Sequence, residues 1–333
     1  MREHVMRIAV FGLGAVGGFM AARLAAAGHQ VSAVARGTTL AALRDKGLTL
    51  RLKGDDINVR IAASDRPADL GTQDLVLSTA KATAPGALAA GVAPLLGPST
   101  PVIFAQNGIP WWYGIGLSAG RPAPPDLSFL DPDGALRRSI APERIIGAVI
   151  QSSNEMVEPG VVVNESPTNN ALLVGEADDS ISERIRELRS VLVASGIGSP
   201  ETPDIRQAIW RKLMINLSAS VLCLITGRRL PIVKEDAAIG DLFERVAGDA
   251  IAVATAHGID VSNFKPAEFR KGPQNHMPSI RQDYDRGRPM EIDAIVLAPQ
   301  RFARAAGLDT PSLDAIAAIA RRMAIERGLY PGS

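Results

Sequence analysis

The sequence predicts an α/β fold: a doubly wound, mostly parallel sheet in the N-terminal part of the chain, joined to an all-helical C-terminal domain. Three observations predict it. Up to about residue 110, short β-branched runs alternate with helical patterns, the signature of right-handed βαβ units whose sheet is covered on both faces. Beyond Ser180, apolar residues recur almost wholly at helical spacing. The chain's 333 residues and 46% hydrophobic content are also more than one ordinary core holds, so two domains are expected.

The elements follow in order. Arg7–Phe11 reads as a buried strand, 15–27 as a helix closed by Gly28, and Gln30–Val34 as a second strand. Later strands are expected at 57–62, Leu75–Ser78 and 102–105, with helical or loop character over 39–46 and 84–96. From Trp111 to about Glu143 the pattern breaks. Arg121-Pro122-Ala123-Pro124-Pro125 and Asp131-Pro132-Asp133-Gly134 are turn signals, and the stretch 111–143 reads as an insertion in the first domain. Strands at 145–152 and Val161–Asn164 are joined through Glu158-Pro159-Gly160, and 172–175 adds another. Helices are expected over 181–194, Ile205–Thr226, 237–257 and 312–327. The domains are therefore 1–200, carrying the sheet, and 201–333, helical.

Composition narrows the function. Lys+Arg 36 against Asp+Glu 35 leaves no electrostatic footprint for nucleic acid or an anionic membrane, and 4% aromatic residues leave little for base stacking. One cysteine, Cys223, excludes an internal disulfide and makes a reducing cytoplasm the default compartment. His4, His29, His257 and His276 show no metal-ligand spacing, so no metal is expected. The N-terminus loosely imitates a secretory signal: Arg2 and Arg7, an apolar run, then Ala25-Ala26-Ala27. Glycines at 12, 14, 17 and 18 and the charge of Arg23 argue against that reading. No uninterrupted apolar stretch approaches the roughly 20 residues that cross a bilayer. A small-molecule enzyme or binding protein remains.

Gly12-Leu13-Gly14-Ala15-Val16-Gly17 fits G-x-G-x-x-G at the end of the first strand and the start of the first helix. Gly12 permits the tight turn, Gly14 a close backbone approach to a pyrophosphate, and Gly17 helix–strand packing, while the helix N-terminus presents unpaired N–H groups to the phosphates. This makes the first domain a Rossmann-type dinucleotide-binding domain. At the end of the second strand stands Arg36, in Val34-Ala35-Arg36-Gly37-Thr38-Thr39, with no carboxylate before Asp45. A guanidinium pairs with a ribose 2′-phosphate where an acidic residue would bind the 2′-hydroxyl, so NADP(H) is the expected cofactor. A solvated surface arginine is the alternative.

On the helix Ile205–Thr226, Lys212, Asn216 and Ser220 lie at i, i+4 and i+8, with Leu213, Leu217 and Leu224 packing beside them. A lysine with polar companions on a largely buried helix is costly unless a polar cavity receives it. A side chain snorkelling at the core edge is the alternative.

Taken together, the motifs resemble the ketopantoate reductases (2-dehydropantoate 2-reductases) over nearly the whole chain. The resemblance rests on the glycine turn, Lys81 in Ser78-Thr79-Ala80-Lys81, Gln106-Asn107-Gly108, Glu158-Pro159-Gly160 and Trp210-Arg211-Lys212-Leu213-x-x-Asn216. It continues with Pro278-Ser279-Ile280-Arg281-Gln282-Asp283 and Glu291-Ile292-Asp293. It implies NADPH-dependent reduction of a 2-oxo acid to a 2-hydroxy acid, ketopantoate to pantoate or a related bulkier acid, in pantothenate biosynthesis in the cytoplasm. By this resemblance Lys212 matches the proton donor and Glu291 a glutamate beside cofactor and substrate. Asn107, Asn216, Ser220 and Ser279 fall at substrate-binding positions. The cofactor would be held by Gly12, Leu13, Gly14, Ala15, Val16, Gly17, Arg36, Lys81, Asn107, Glu155 and Glu291, and a homodimer through the helical domain is implied.

The chemistry of the residues agrees with these roles. Hydride arriving at a ketone carbon leaves negative charge on oxygen, and Lys212 can answer it with a cation and a proton. Ser220 stands where the family commonly has an asparagine, and Pro110-Trp111-Trp112-Tyr113 follows the Asn107-Gly108 step. Rings reaching the site would favour a bulkier 2-oxo acid. A 3-hydroxyacid dehydrogenase, which also sets an asparagine four residues after a lysine, is the rival enzyme. A non-catalytic NADP-binding sensor is the rival of another class.

Overall fold

The computed structural model describes residues 5–166, 169–271 and 277–331. Its strands are β1 (Arg7–Phe11), β2 (Gln30–Val34), β3 (Leu48–Arg51), β4 (Ile57–Val59), β5 (Ala62–Ser64), β6 (Leu75–Ser78), β7 (Val102–Phe104), β8 (Ile145–Gln151), β9 (Asn154–Glu158), β10 (Val161–Asn164) and β11 (Ala171–Glu176). The chain divides into two units: Met1–Gln106 with Asp131–Ile205, and Asn107–Leu130 with Arg206–Ser333.

All strands described lie in the first unit. Runs such as Ile8-Ala9-Val10-Phe11 are apolar on both faces, so they settle where both faces are covered. The main sheet has the order β11-β8-β7-β6-β1-β2-β5, parallel throughout except for β11 at one edge. The chain builds outward from β1 through β2 to β5, then crosses back to place β6 on the other side of β1. That reversal is the switch point where sheets of this class bind ligands, beyond the strands' carboxyl ends. A smaller sheet, β4-β3-β10-β9, pairs β3 with β10 in parallel and closes β9 to β10 as a hairpin through Pro159-Gly160.

The helix Ala15–Ala26, here α1, has a sheet on either side, and two adjacent glycines make that possible. A Cβ on Gly17 would stand 2.5 Å from the Gly12 carbonyl oxygen, against the main sheet. One on Gly18 would stand 2.6 Å from Val162 of the smaller sheet. Between them Phe19, Met20, Ala21, Ala22 and Leu24 are buried almost completely. A helix covered on both sides is apolar all round, as this one is.

The expected strand at 57–62 is two strands. Its first half is β4, in the smaller sheet, and its last residue, Ala62, opens β5, which runs on to Ser64 and ends the main one. Strands β3 and β9 were not anticipated. β9 is an edge strand, half-buried to exposed along Asn154-Glu155-Met156-Val157-Glu158, so it carries no continuous apolar run.

The second unit is helical, built on Ile205–Thr226, Ala237–Ala256, Ala298–Ala305 and Pro311–Glu326 with shorter pieces between. Ile205–Thr226 is the one helix among the described residues long and apolar enough to cross a membrane by length and composition, and most of it is buried inside the protein. The stretch expected as an insertion of the first domain is divided between the units. Residues 107–130 group with the helices, and 131–143 return to the first unit, where Ala135–Ser139 packs on Pro85–Val92. The physical cause is Arg206, fully buried, whose guanidinium donates to the carbonyls of Tyr113 (3.0 and 2.9 Å) and Ile115 (2.7 Å). The Trp210 indole donates to the Tyr113 hydroxyl at 2.8 Å, and the Tyr113 ring meets Phe302 edge-on. Trp111 and Trp112 are buried as well, at 2% and 0% exposure. Of the two possibilities, rings reaching a substrate pocket or rings packed inside, burial favours the second: they lie in the core of the helical unit.

Candidate active site

At the end of β1, Gly12 adopts φ +96°, and the Gly14 N–H donates to its carbonyl at 2.9 Å. A Cβ on Gly12 would come within 2.8 Å of the Ala80 nitrogen, so glycine is required there twice over. Gly14 begins α1, whose first turn holds no acidic side chain. A Cβ on Gly14 would meet nothing within 4 Å. Its backbone therefore faces open space, the cradle that an approaching pyrophosphate needs. Sequence reasoning missed Thr79, whose hydroxyl donates to the Gly12 carbonyl at 2.5 Å and ties the end of β6 to the turn. It lies inside the Ser78-to-Lys81 motif, where only the lysine was singled out.

Beside this turn, a cavity of about 210 Å³ is lined by Gly12, Leu13, Val34, Arg36 and Thr39 among others, with no carboxylate. Arg36 is exposed at the start of the helix Gly37–Lys46. The glycine turn and Arg36 are thus brought to one cavity. Lys81 and Glu155 do not line this cavity. Lys81 is half-buried after β6, and Glu155 is half-buried on β9 of the smaller sheet, opposite Val163.

In the helical unit, Lys212 keeps some accessible surface, yet its ammonium is largely withdrawn from solvent. That desolvation brings it down to about 8, and the Glu291 carboxylate acts in the opposite direction. The helix around it is not regular. Over Asn216–Ser220 it widens by one residue per turn, and the Val221 N–H donates to the Asn216 carbonyl. The extra residue resets the register. In a uniform α-helix Ser220 would lie about 80° around from Lys212, whereas here it takes the place of an i+7 residue, about 20° away. Within 212–224 the residues that are not buried are Lys212, Ile215, Asn216 and Ser220, one narrow face.

A second widened turn, Asp293–Leu297, packs against the first and follows directly on Glu291. Glu291 is buried, at 6% exposure, and accepts from the Asn107 side-chain amide at 3.4 Å. Gly108 fixes that contact. With φ +77° and an added Cβ only 2.4 Å from the Ala294 carbonyl, it lets the chain lie flat on the second turn, where the Ile109 N–H donates to Ala294 O at 2.8 Å. Lys212, Asn216, Ser220, Asn107 and Glu291 are thus all carried by the two widened turns or the elements on them. Ser279 is exposed in the first turn of Ser279–Asp285, a helix that packs on the widened turn Asn216–Ser220, with Pro278 before it. No cluster of metal-ligating side chains occurs among the described residues.

The family model described as Ketopantoate reductase PanE/ApbA matches residues 8–112, and that described as Ketopantoate reductase PanE/ApbA C terminal matches residues 204–324. The 2-dehydropantoate 2-reductase of Mesorhizobium japonicum is 37% identical over 328 residues, covering 98% of this chain and 100% of that protein. A solved structure from Ralstonia solanacearum aligns with a TM-score of 0.89 at 31% identity, covering 98% of this chain and 100% of its own. D-mandelate dehydrogenase, solved with NADH and anilino(oxo)acetate, shares the fold at a TM-score of 0.82 and 18% identity, over 98% and 100% of the two chains.

Two predictions follow from the geometry. Gly17→Ala forces backbone apart and is expected to lower Tm by about 3–10 °C. Gly14→Ala, with open space around it, should leave Tm within about 2 °C while weakening nicotinamide-cofactor binding about tenfold or more, if the methyl enters the cradle of a bound pyrophosphate. Thermal melts and fluorescence titrations separate the two; equal effects on both quantities at both positions would refute the assignment. The second concerns the buried charges. Lys212→Met/Glu291→Gln removes both at nearly constant volume and should raise Tm at pH 7 by about 2–5 °C, since a buried pair repays its desolvation poorly. Lys212→Met alone leaves the carboxylate buried without its cation and should melt below the double variant.

Proposed function

The chain belongs to the ketopantoate reductase family, oxidoreductases that act on 2-oxo acids, and from that premise we propose that it reduces 2-dehydropantoate to pantoate with NADPH. The observation that carries the reading is the coupled pair in the helical unit: a desolvated lysine titrating near 8, with a buried glutamate acting on it, among asparagine and serine side chains on one face. When bound, the reduced nicotinamide supplies the hydride. The chain supplies what the oxygen then needs. Lys212 faces the developing alkoxide as a cation and passes a proton from Nζ to it. It is mostly charged at neutral pH, yet a stronger acid than an ordinary lysine. Glu291 keeps Lys212 protonated through its charge and can accept from a substrate hydroxyl. Asn107, Asn216 and Ser220 offer amide and hydroxyl groups to the acid's polar atoms, and Ser279 is a further substrate-binding candidate. In the first unit the glycine turn takes the pyrophosphate and Arg36 the 2′-phosphate, while Lys81 and Glu155 are proposed as outlying cofactor contacts.

Burial of Trp111 and Trp112 removes the aromatic wall and leaves Ser220 alone to favour a bulkier substrate, so ketopantoate itself is the substrate proposed. The sensor reading fits poorly with a lysine held at such electrostatic cost. The test is a panel of 2-oxo acids followed by NADPH absorbance. Ketopantoate should give the highest kcat/KM; no turnover of any 2-oxo acid would overturn the reading.

Arg36→Ala should weaken NADPH about ten- to a hundredfold and leave NADH nearly unchanged, the worth of one charge-assisted phosphate pair. Equal dissociation constants for the two cofactors in wild type would refute the preference. Lys212→Ala should lower kcat about 10²–10⁴-fold with cofactor binding intact. In wild type, kcat/KM should fall as pH rises through about 8, where the acid loses its proton; a profile flat to pH 10 would assign the proton elsewhere.

A further inference from the structure

Near the end of the chain the segment after Pro311–Glu326 folds back on that helix, the Gly328 and Leu329 N–H groups donating to Ile325 and Ala324 carbonyls at 2.9 and 2.8 Å. This anchors Tyr330, whose ring lies 5.9 Å from the Arg321 guanidinium. From there two bonds reach the strand of chain that bears Glu291. The Met290 N–H donates to the Leu329 carbonyl at 3.3 Å, and the Tyr330 hydroxyl donates to Asp293 Oδ1 at 2.5 Å. One bond holds the residue before Glu291 and the other the residue two after it.

Asp293 opens the widened turn Asp293–Leu297, the element on which Gly108 and Ile109 rest and from which the Ile295 N–H reaches back to the Glu291 carbonyl at 3.1 Å. A widened turn is a sparsely populated conformation, held only where its surroundings over-determine it. Gly108 and Ile109 hold it from one chain segment, and Tyr330 holds its first residue from another.

We propose that Tyr330 is a positioning residue for Glu291: its hydroxyl pins Asp293, fixes the start of the widened turn, and so sets the Glu291 carboxylate relative to Lys212. The proposal rests on the reading that Lys212 and Glu291 act in the reduction. Burial and the neighbouring Asp293 charge push the Tyr330 phenol up to about 12, so it remains a donor at every pH at which the enzyme would be assayed. A phenylalanine would keep the packing of the ring and lose the tie.

The test compares purified wild type, Lys212→Ala and Tyr330→Phe with NADPH and ketopantoate. Misplacing a reacting group by about 1 Å can cost about a hundredfold, so Tyr330→Phe is expected to lower kcat/KM about five- to fiftyfold, mostly through kcat, with NADPH affinity unchanged. Because Glu291 raises the lysine's pKa, its displacement should also move the alkaline limb of the pH profile to lower pH by about half a unit or more. A purely stabilising tail contact would change Tm and leave that limb in place. Turnover within twofold of wild type with an unshifted limb overturns the proposal alone. Absence of wild-type turnover, or full turnover by Lys212→Ala, overturns the reading beneath it, and the proposal falls with it. Should Tyr330→Phe fail to fold, Asp293→Ala and Asp293→Asn decide. Asparagine keeps an acceptor oxygen for the hydroxyl and should recover most of what alanine loses, including the position of the limb. Equal behaviour of the two variants overturns the proposal.

Discussion

The helical unit is organised around a charge that burial opposes. The Lys212 ammonium sits in surroundings that pull its pKa down to about 8, with the Glu291 carboxylate as the charge acting the other way. A buried pair of this kind does not stabilise a fold by itself, since desolvation of both partners offsets most of their attraction. It survives where the neighbouring backbone fixes both groups. The two widened turns do that work together: one realigns Ser220 with Lys212, and the other follows Glu291 and packs against the first. Gly108 is required for the same reason, because any Cβ there would collide with the second turn.

A different constraint governs the first unit. Placing α1 against two sheets demands that its backbone come close to both, and Gly17 and Gly18 are the residues at which it does. The glycines of the nucleotide turn are thus divided by physical role. Gly12 and Gly17 are fixed by collisions within the fold, whereas a Cβ on Gly14 would meet nothing within 4 Å.

Legibility followed burial. β1, β2, β6 and β10 carry the bounds expected of them; β1 and β6, enclosed by neighbours, are written as nearly uninterrupted apolar runs. β9, half-exposed at a sheet edge, left no such run, and 57–62 concealed a change of sheet between Val59 and Ala62. The widened turns had no signal at all: adding one residue to a helical turn alters hydrogen bonding without altering composition. Of the site, the glycine turn, Arg36, Lys212 and Asn216 could be read from spacing, while Glu291 and Asn107 needed the family resemblance, being 184 positions apart yet hydrogen-bonded. For Trp111 and Trp112, proximity in sequence to Asn107 left open whether the rings reach the site or pack inside the fold. The buried guanidinium of Arg206 turns that loop into the core instead.

The same apolarity explains two properties of Ile205–Thr226 that look unrelated. By length and hydropathy it passes for a membrane span, yet it lies mostly buried in a helical unit and carries Arg206, Arg211 and Lys212. A helix that packs on nearly every side must be apolar on nearly every side, whichever solvent replaces water. That packing is also what desolvates Lys212. A helix with a broader polar face would return the lysine toward its ordinary value and make it a weaker acid at neutral pH. The widened turn reconciles the two demands: by bringing Ser220 back over Lys212, it confines the polar residues to a stripe narrow enough for the rest of the helix to stay dry.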